Sequence, residues 1–158
     1  MKKIISKVTL LVLFTGVLLI SSCEKDNPLG YKMTATIDGS SFNSLVTLAY
    51  IQDNKMIIEG TSVNGKIIVL TVSGINPGTY ALSANPPLTQ FAAVYKESAT
   101  VSTEDTWASV SGNISLTSVD TNAKTISGTF SVKMKKDLTN TTLEISNGSF
   151  TAVKYTGN

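Results

Sequence analysis

Lys55 to Ser73 reads KMIIEGTSVNGKIIVLTVS, and this stretch decides the fold class. Two runs rich in β-branched residues flank Asn64-Gly65, a dipeptide suited to the positive φ angles of a tight hairpin turn. Both arms contain consecutive apolar residues, Met56-Ile57-Ile58 and Ile67-Ile68-Val69-Leu70. Neither face of this hairpin is therefore expected to be fully wet, which places it near the centre of the core.

Period-two alternation extends outward in both directions, broken by turn residues about every ten positions, as in antiparallel all-β domains. Upstream, Tyr31, Met33, Ala35 and Ile37 alternate with polar residues, Asp38-Gly39 turns the chain, and a strand is expected over Leu45 to Gln52 before Asp53-Asn54. Downstream, Asn76-Pro77-Gly78 precedes a strand over Thr79 to Leu82, and Asn85-Pro86-Pro87 forbids regular pairing until Gln90 to Lys96, because proline lacks the ladder donor. Glu97 to Thr106 reads as an exposed polar loop. Strands are then expected over Trp107 to Val110 and Asn113 to Val119, with a turn at Asp120-Thr121-Asn122.

Ile126, Phe130, Val132 and Met134 share one face of a strand whose other face carries Thr129, Ser131, Lys133 and Lys135; this strand is expected to cover an edge of the core. In the last segment Leu143 and Ile145 have one parity, Phe150 and Ala152 the other, so the register must shift near Asn147-Gly148. A β-bulge does this, and a hairpin turn is the alternative. ISGTFSV (126–132) and ISNGSFTAV (145–153) are read as successive antiparallel strands, not as a repeat. The expected fold is thus all-β: an antiparallel β-sandwich or partly closed β-barrel of about 8–10 strands, formed by residues 31–158.

Met1 to Lys7 hold three lysines, and VTLLVLFTGVLLI (8–20) is a thirteen-residue apolar run ending at Ser21-Ser22. That is the form of a helical, cleaved signal peptide over residues 1–22, too short to cross about 30 Å of hydrocarbon. The first three lysines leave with it. Ten lysines then face eleven carboxylates, for a net charge of −1 instead of +2, with no arginine in the chain. Nucleic acid is an improbable partner for such a surface.

Ile20, Ser21, Ser22 and Cys23 resemble the lipobox of bacterial lipoproteins, in which two small residues admit the chain to a peptidase cleft and the cysteine thiol takes a diacylglyceryl thioether. Residues 23–30 then form a lipidated tether. Glu24, Lys25, Asp26 and Asn27 resemble the surface-export tag of Bacteroidota lipoproteins, with a plain solvated spacer as the alternative. Thr36-Ile37-Asp38-Gly39, Gly78-Thr79-Tyr80, Gly112-Asn113-Ile114-Ser115-Leu116, Gly128-Thr129-Phe130 and Asn147-Gly148-Ser149-Phe150 resemble the small Bacteroidota lipoproteins of unknown function. The resemblance implies a β-rich domain held at the outer membrane, on either leaflet, and implies no catalytic residue.

Histidine is absent and Cys23 is the only cysteine, which excludes a Ser-His-Asp triad and, once Cys23 is acylated, a thiol nucleophile or thiolate metal site. Neither a G-x-S-x-G elbow nor a phosphate-binding loop is present. No cofactor and no enzymatic activity are expected. Glu104 and Asp105 are the nearest approach to a paired carboxylate, but neighbours on an extended chain diverge, and solvated loop charge is the simpler reading. Asp120 and Asn122 have the oxygen spacing of a calcium loop without its further ligands, and read more simply as a turn.

Trp107, with Tyr95 and Tyr50, is the candidate platform for stacking on a glycan, weighed against plain core packing. Lys133, Lys135 and Lys136 read as protection of a strand edge. The expected function is a non-enzymatic, lipid-anchored envelope module that binds a glycan or an envelope protein. The alternatives are an assembly component whose sheet edge pairs with a partner strand and, least favoured, a polysaccharide hydrolase using acidic residues alone.

Overall fold

The computed structural model describes residues 32–83, 92–100, 106–136 and 139–157. They form β1 (Met33–Ile37), β2 (Ser40–Gln52), β3 (Lys55–Ser62), β4 (Ile67–Ser73), β5 (Gly78–Ser83), β6 (Ala92–Lys96), β7 (Thr106–Asp120), β8 (Thr125–Lys135) and β9 (Thr142–Thr156). Antiparallel pairing runs β1-β2-β3-β4-β6-β7-β8-β9 and returns from β9 to β1, closing an eight-stranded barrel. The fifth strand lies in line with β6 along the same side of β7: Gly78 to Ser83 pair with Leu116 to Ser111, and Val94 to Lys96 with Ala108 to Thr106. One ladder encircles the core, so the all-β expectation holds as a closed barrel, and the sandwich alternative does not apply.

Closure removes two positions assigned from the sequence. The β3–β4 hairpin has no central place in a ring, though its inward residues Met56, Ile58, Ile68, Leu70 and Val72 are buried as expected, and Ile57, Ile67 and Val69 on its outer side are half-buried. Strand β8 covers no edge, because β7 and β9 flank it on both sides; the lysines of its outer face therefore protect no open edge.

Turn chemistry follows local residue preferences. Asp38 and Gly39 (φ 44° and 79°) and Asp53 and Asn54 (φ 50° and 59°) adopt the left-handed pairs of tight hairpins. The Asn64-Gly65 turn differs from expectation: only Gly65 has positive φ (75°), and its N–H donates to the Ser62 carbonyl at 3.0 Å. Val63 and Asn64 form the turn and Gly65 supplies the left-handed residue after it, while Ser62 Oγ accepts the Lys66 N–H at 3.0 Å.

The three longest strands each carry extra residues. Register shifts place a bulge at Leu45 in β2, at Val110 and Thr117 in β7, and near Asn147 and Ala152 in β9. A bulge bends its strand and increases the local twist, which lets strands of 13 to 15 residues coil round a small barrel. The expected strand break after Val110 is one of these bulges, so a single strand runs from Thr106 to Asp120. Asn147-Gly148 is likewise a bulge and not a hairpin turn. A second bulge at Ala152 (φ 45°) corrects the expected parity: Ala152 points outward, and Val153 and Tyr155 point in.

Two of the three buried polar residues among those described follow from the same bulges. Ser44 Oγ accepts the Met33 N–H at 3.0 Å beside the β2 bulge, and Ser109 Oγ accepts the Ala93 N–H at 3.1 Å beside the first β7 bulge. Each hydroxyl serves a backbone donor where the ladder is irregular, and a buried donor left unserved would cost about 1–3 kcal/mol.

Within the barrel, large inward side chains face glycines. Gly128 pairs with Phe150 and Phe130 pairs with Gly148, so the two Gly-x-Phe triplets of β8 and β9 interlock antiparallel. The phenyl centroids lie 6.4 Å apart at an interplanar angle of 28°. A Cβ on Gly148 would sit 2.6 Å from the Phe130 ring and from its carbonyl oxygen; one on Gly60 would sit 2.5 Å from Met33 Sδ. We expect Gly148→Ala to destabilise the chain by about 1–3 kcal/mol, with no recovery in Gly148→Ala/Phe130→Leu, since the carbonyl contact remains. The nearest atoms to a Cβ on Gly60 all belong to the Met33 side chain, so Gly60→Ala/Met33→Ala should cost less than the two single changes summed. Urea unfolding of these four variants and of Met33→Ala alone measures both.

Candidate functional site

Tyr95 on β6 and Trp107 on β7 are direct cross-strand partners, both turned into the barrel, 2% and 7% exposed. The ladder brings together these two sequence-nominated aromatics, but as core residues. Trp107 Nε1–H donates to Glu97 Oε1 at 3.1 Å, and Lys136 Nζ stands 5.2 Å from the indole centroid. A cation over the ring is worth roughly 0.5–1 kcal/mol at an accessible site. With its N–H taken and its ring buried, Trp107 presents no open stacking surface. Tyr50 lies elsewhere, half-buried in a groove between β2 and β9.

Burial pushes the Tyr95 phenol up to about 12, and the negative charges of Glu97 and Asp38 push in the same direction. The phenol therefore stays neutral throughout the physiological range. Asp38 itself belongs to the scaffold: its Oδ1 accepts the Glu144 N–H at 2.9 Å while its own N–H donates to the Glu144 carbonyl at 3.0 Å, fastening the β1–β2 turn to β9.

The other nominated residues divide in two. Asp120 Oδ1 accepts the N–H groups of Asn122 and Ala123 at 2.9 and 2.8 Å, so this carboxylate shapes the β7–β8 turn. Ile20, Ser21, Ser22, Cys23, Glu104 and Asp105 lie outside the described residues.

What the sequence reading missed is on the outer wall. Leu45, Val46, Leu48 and Val63 are 67, 50, 56 and 77% exposed, and the first three lie together on β2. The bulge at Leu45 causes this. Phe42 and Ser44 point inward before it and Ala49 after it, so both members of the Leu45-Val46 pair are turned to solvent. The adjacent apolar pair in an otherwise alternating strand was the available signal. Two open grooves flank the patch: one of about 320 Å³ carries Leu45, Val63 and Lys66, the other, of about 590 Å³, Lys32, Leu48, Tyr50 and Lys154.

The family model described as Domain of unknown function (DUF6252) matches residues 31–154, and the chain belongs to that family. No curated protein and no solved structure gives a significant match.

The raised Tyr95 pKa has a stability consequence. An acid whose folded pKa exceeds its unfolded value of about 10 stabilises the fold fully below pH 10 and loses that contribution as pH rises towards 12. Unfolding free energies measured across pH 9 to 12 should therefore fall less steeply in Tyr95→Phe than in the unaltered chain. Identical slopes would contradict the assigned burial of the phenol.

Proposed function

We propose that this chain is a cell-envelope lipoprotein, fastened to the outer membrane by acyl chains on Cys23, whose barrel is a non-enzymatic module that binds a ligand or partner on its outside. The observation that carries the binding half is the filled interior. Inward side chains from all nine strands form one buried cluster, from Met33 on β1 through Ile68 and Leu70 on β4 to Val153 and Tyr155 on β9. An eight-stranded barrel either fills with side chains or keeps room for one small ligand, and among the described residues the inward side chains pack as one buried cluster. Recognition is left to the exterior.

Support for the tether comes from the charged start, apolar run and Ile20-Ser21-Ser22-Cys23 sequence. Each buried methylene contributes about 0.8 kcal/mol, so two or three acyl chains hold a domain that one chain would release. The polar outer faces of β8 and β9 support a tether over a barrel set into lipid: Thr129, Ser131, Lys133, Glu144 and Thr151 point outward, the reverse of the apolar outer band of a membrane-spanning barrel. The edge-pairing alternative has less support, because among the described residues only the six-residue β5 has a single ladder partner.

The test is mass spectrometry of the native protein extracted from membranes, alongside fractionation of Cys23→Ser. The expected result is a chain beginning at a diacylglyceryl-modified Cys23, with the variant lost from the membrane fraction. A free Cys23 thiol or an uncleaved leader would overturn the tether. Protease shaving of intact cells then tests exposure, digestion from outside being the result expected of a surface-facing domain.

A further inference from the structure

We infer that the outer wall formed by β2 and the β3–β4 hairpin is a membrane-docking face, lying against the same lipid layer that the acyl chains enter; this rests on the lipid tether proposed above and assigns the domain an orientation on it.

Three observations converge on that wall. First, its chemistry differs from that of the opposite side. Leu45, Val46 and Leu48 are exposed on β2, and the register continues the patch outward through Tyr50 opposite Ile57, Thr61 opposite Ile67 and Glu59 opposite Val69. Across the barrel β8 shows Thr129, Ser131 and Lys133. A contiguous exposed apolar patch on one side of a small domain marks a contact surface.

Second, the charge around the patch suits anionic lipid. Lys66 lines the groove on one side of Leu45, and Lys32 and Lys154 line the groove beside Leu48, with no carboxylate in either lining. Glu59, opposite Leu48, is the one carboxylate paired in register with the patch. Apolar side chains surrounded by lysines combine insertion at the headgroup boundary with attraction to phosphate.

Third, the described chain begins there. The Lys32 carbonyl accepts the Thr151 N–H at 2.9 Å, holding the start of the described chain between β2 and β9 in the groove that Leu48 lines. Eight residues separate Cys23 from Lys32, and the nine Cα–Cα steps span at most about 30 Å. A tether this short keeps the wall from which it emerges close to the bilayer, so apolar contact there adds little ordering cost.

The experiment uses the full lipidated chain in vesicles of phosphatidylcholine and phosphatidylglycerol carrying acyl-brominated lipid, which quenches tryptophan at the membrane. Leu48→Trp places a probe on the proposed face and Thr129→Trp one on the opposite wall; Trp107 is buried and common to both. The inference expects Leu48→Trp to lose most of its added emission and Thr129→Trp to keep it, with quenching weaker in vesicles lacking phosphatidylglycerol. Leu45→Trp repeats the measurement should Leu48→Trp misfold. Vesicle-bound protein with equal quenching of both probes, or none of either, would overturn the docking face and leave the tether standing. Protein that stays off the vesicles with Cys23 unmodified would overturn the tether, and this inference with it.

Discussion

The interior of an eight-stranded barrel has a nearly fixed cross-section, so the largest inward side chains need small residues beside them where they crowd. The β8–β9 seam shows how this is met. Phe130 and Phe150 enter from neighbouring strands, and each lies over the glycine of the other strand's Gly-x-Phe triplet. The phenyl groups stack in space that a methyl group would close. Gly60 does the same for Met33. Removal of any of these glycines forces strain into strands that are paired on both sides.

Closure also explains the bulges. Strands of 13 to 15 residues cannot remain straight on so small a ring, and β2, β7 and β9 absorb five extra residues between them. Each extra residue reverses which side chains face inward. On β9 the reversal happens twice, at Asn147 and Ala152, so Ile145, Phe150 and Val153 all reach the core although no single alternation links them. On β2 the reversal has the opposite result and leaves two neighbouring aliphatic residues in water. One device serves the core on one strand and makes a surface on another.

This is why some of the structure was legible in the sequence and some was not. Strand existence, the Asp38-Gly39 turn, the inward set of β8 and the adjacency of the two Gly-x-Phe segments were open to a reading of local pattern. Period two is shared by sandwiches and barrels, so closure, which depends on β9 returning to β1, left no local mark. The Asn147-Gly148 bulge declared itself by a change of parity across a turn-forming dipeptide; the one at Ala152 has no such residues and was invisible. At the candidate site, alternation fitted Trp107 equally to the core or the surface. Its pairing with Tyr95 decides for the core. The apolar wall was hidden for a related reason: Leu45 and Val46 look like core residues until the extra residue is counted.

The functional reading follows from the same constraint. A barrel that fills itself leaves its chemistry to the outside, and here the outside is unequal. The wall of β2 and the β3–β4 hairpin combines exposed aliphatics with lysines and lies beside Lys32, where the described chain begins. The far wall carries hydroxyls, amides and charge. If the proposed acyl chains sit on Cys23, nine positions before Lys32, the first wall is the one whose contact with lipid the tether would favour entropically. In that orientation the Ser- and Thr-rich wall of β7 and β8 faces away from the bilayer, where hydrogen-bonding groups rather than apolar contacts would read a partner. Division of labour between two walls of one ring needs no cavity, and it reconciles a packed core with the contact role proposed above.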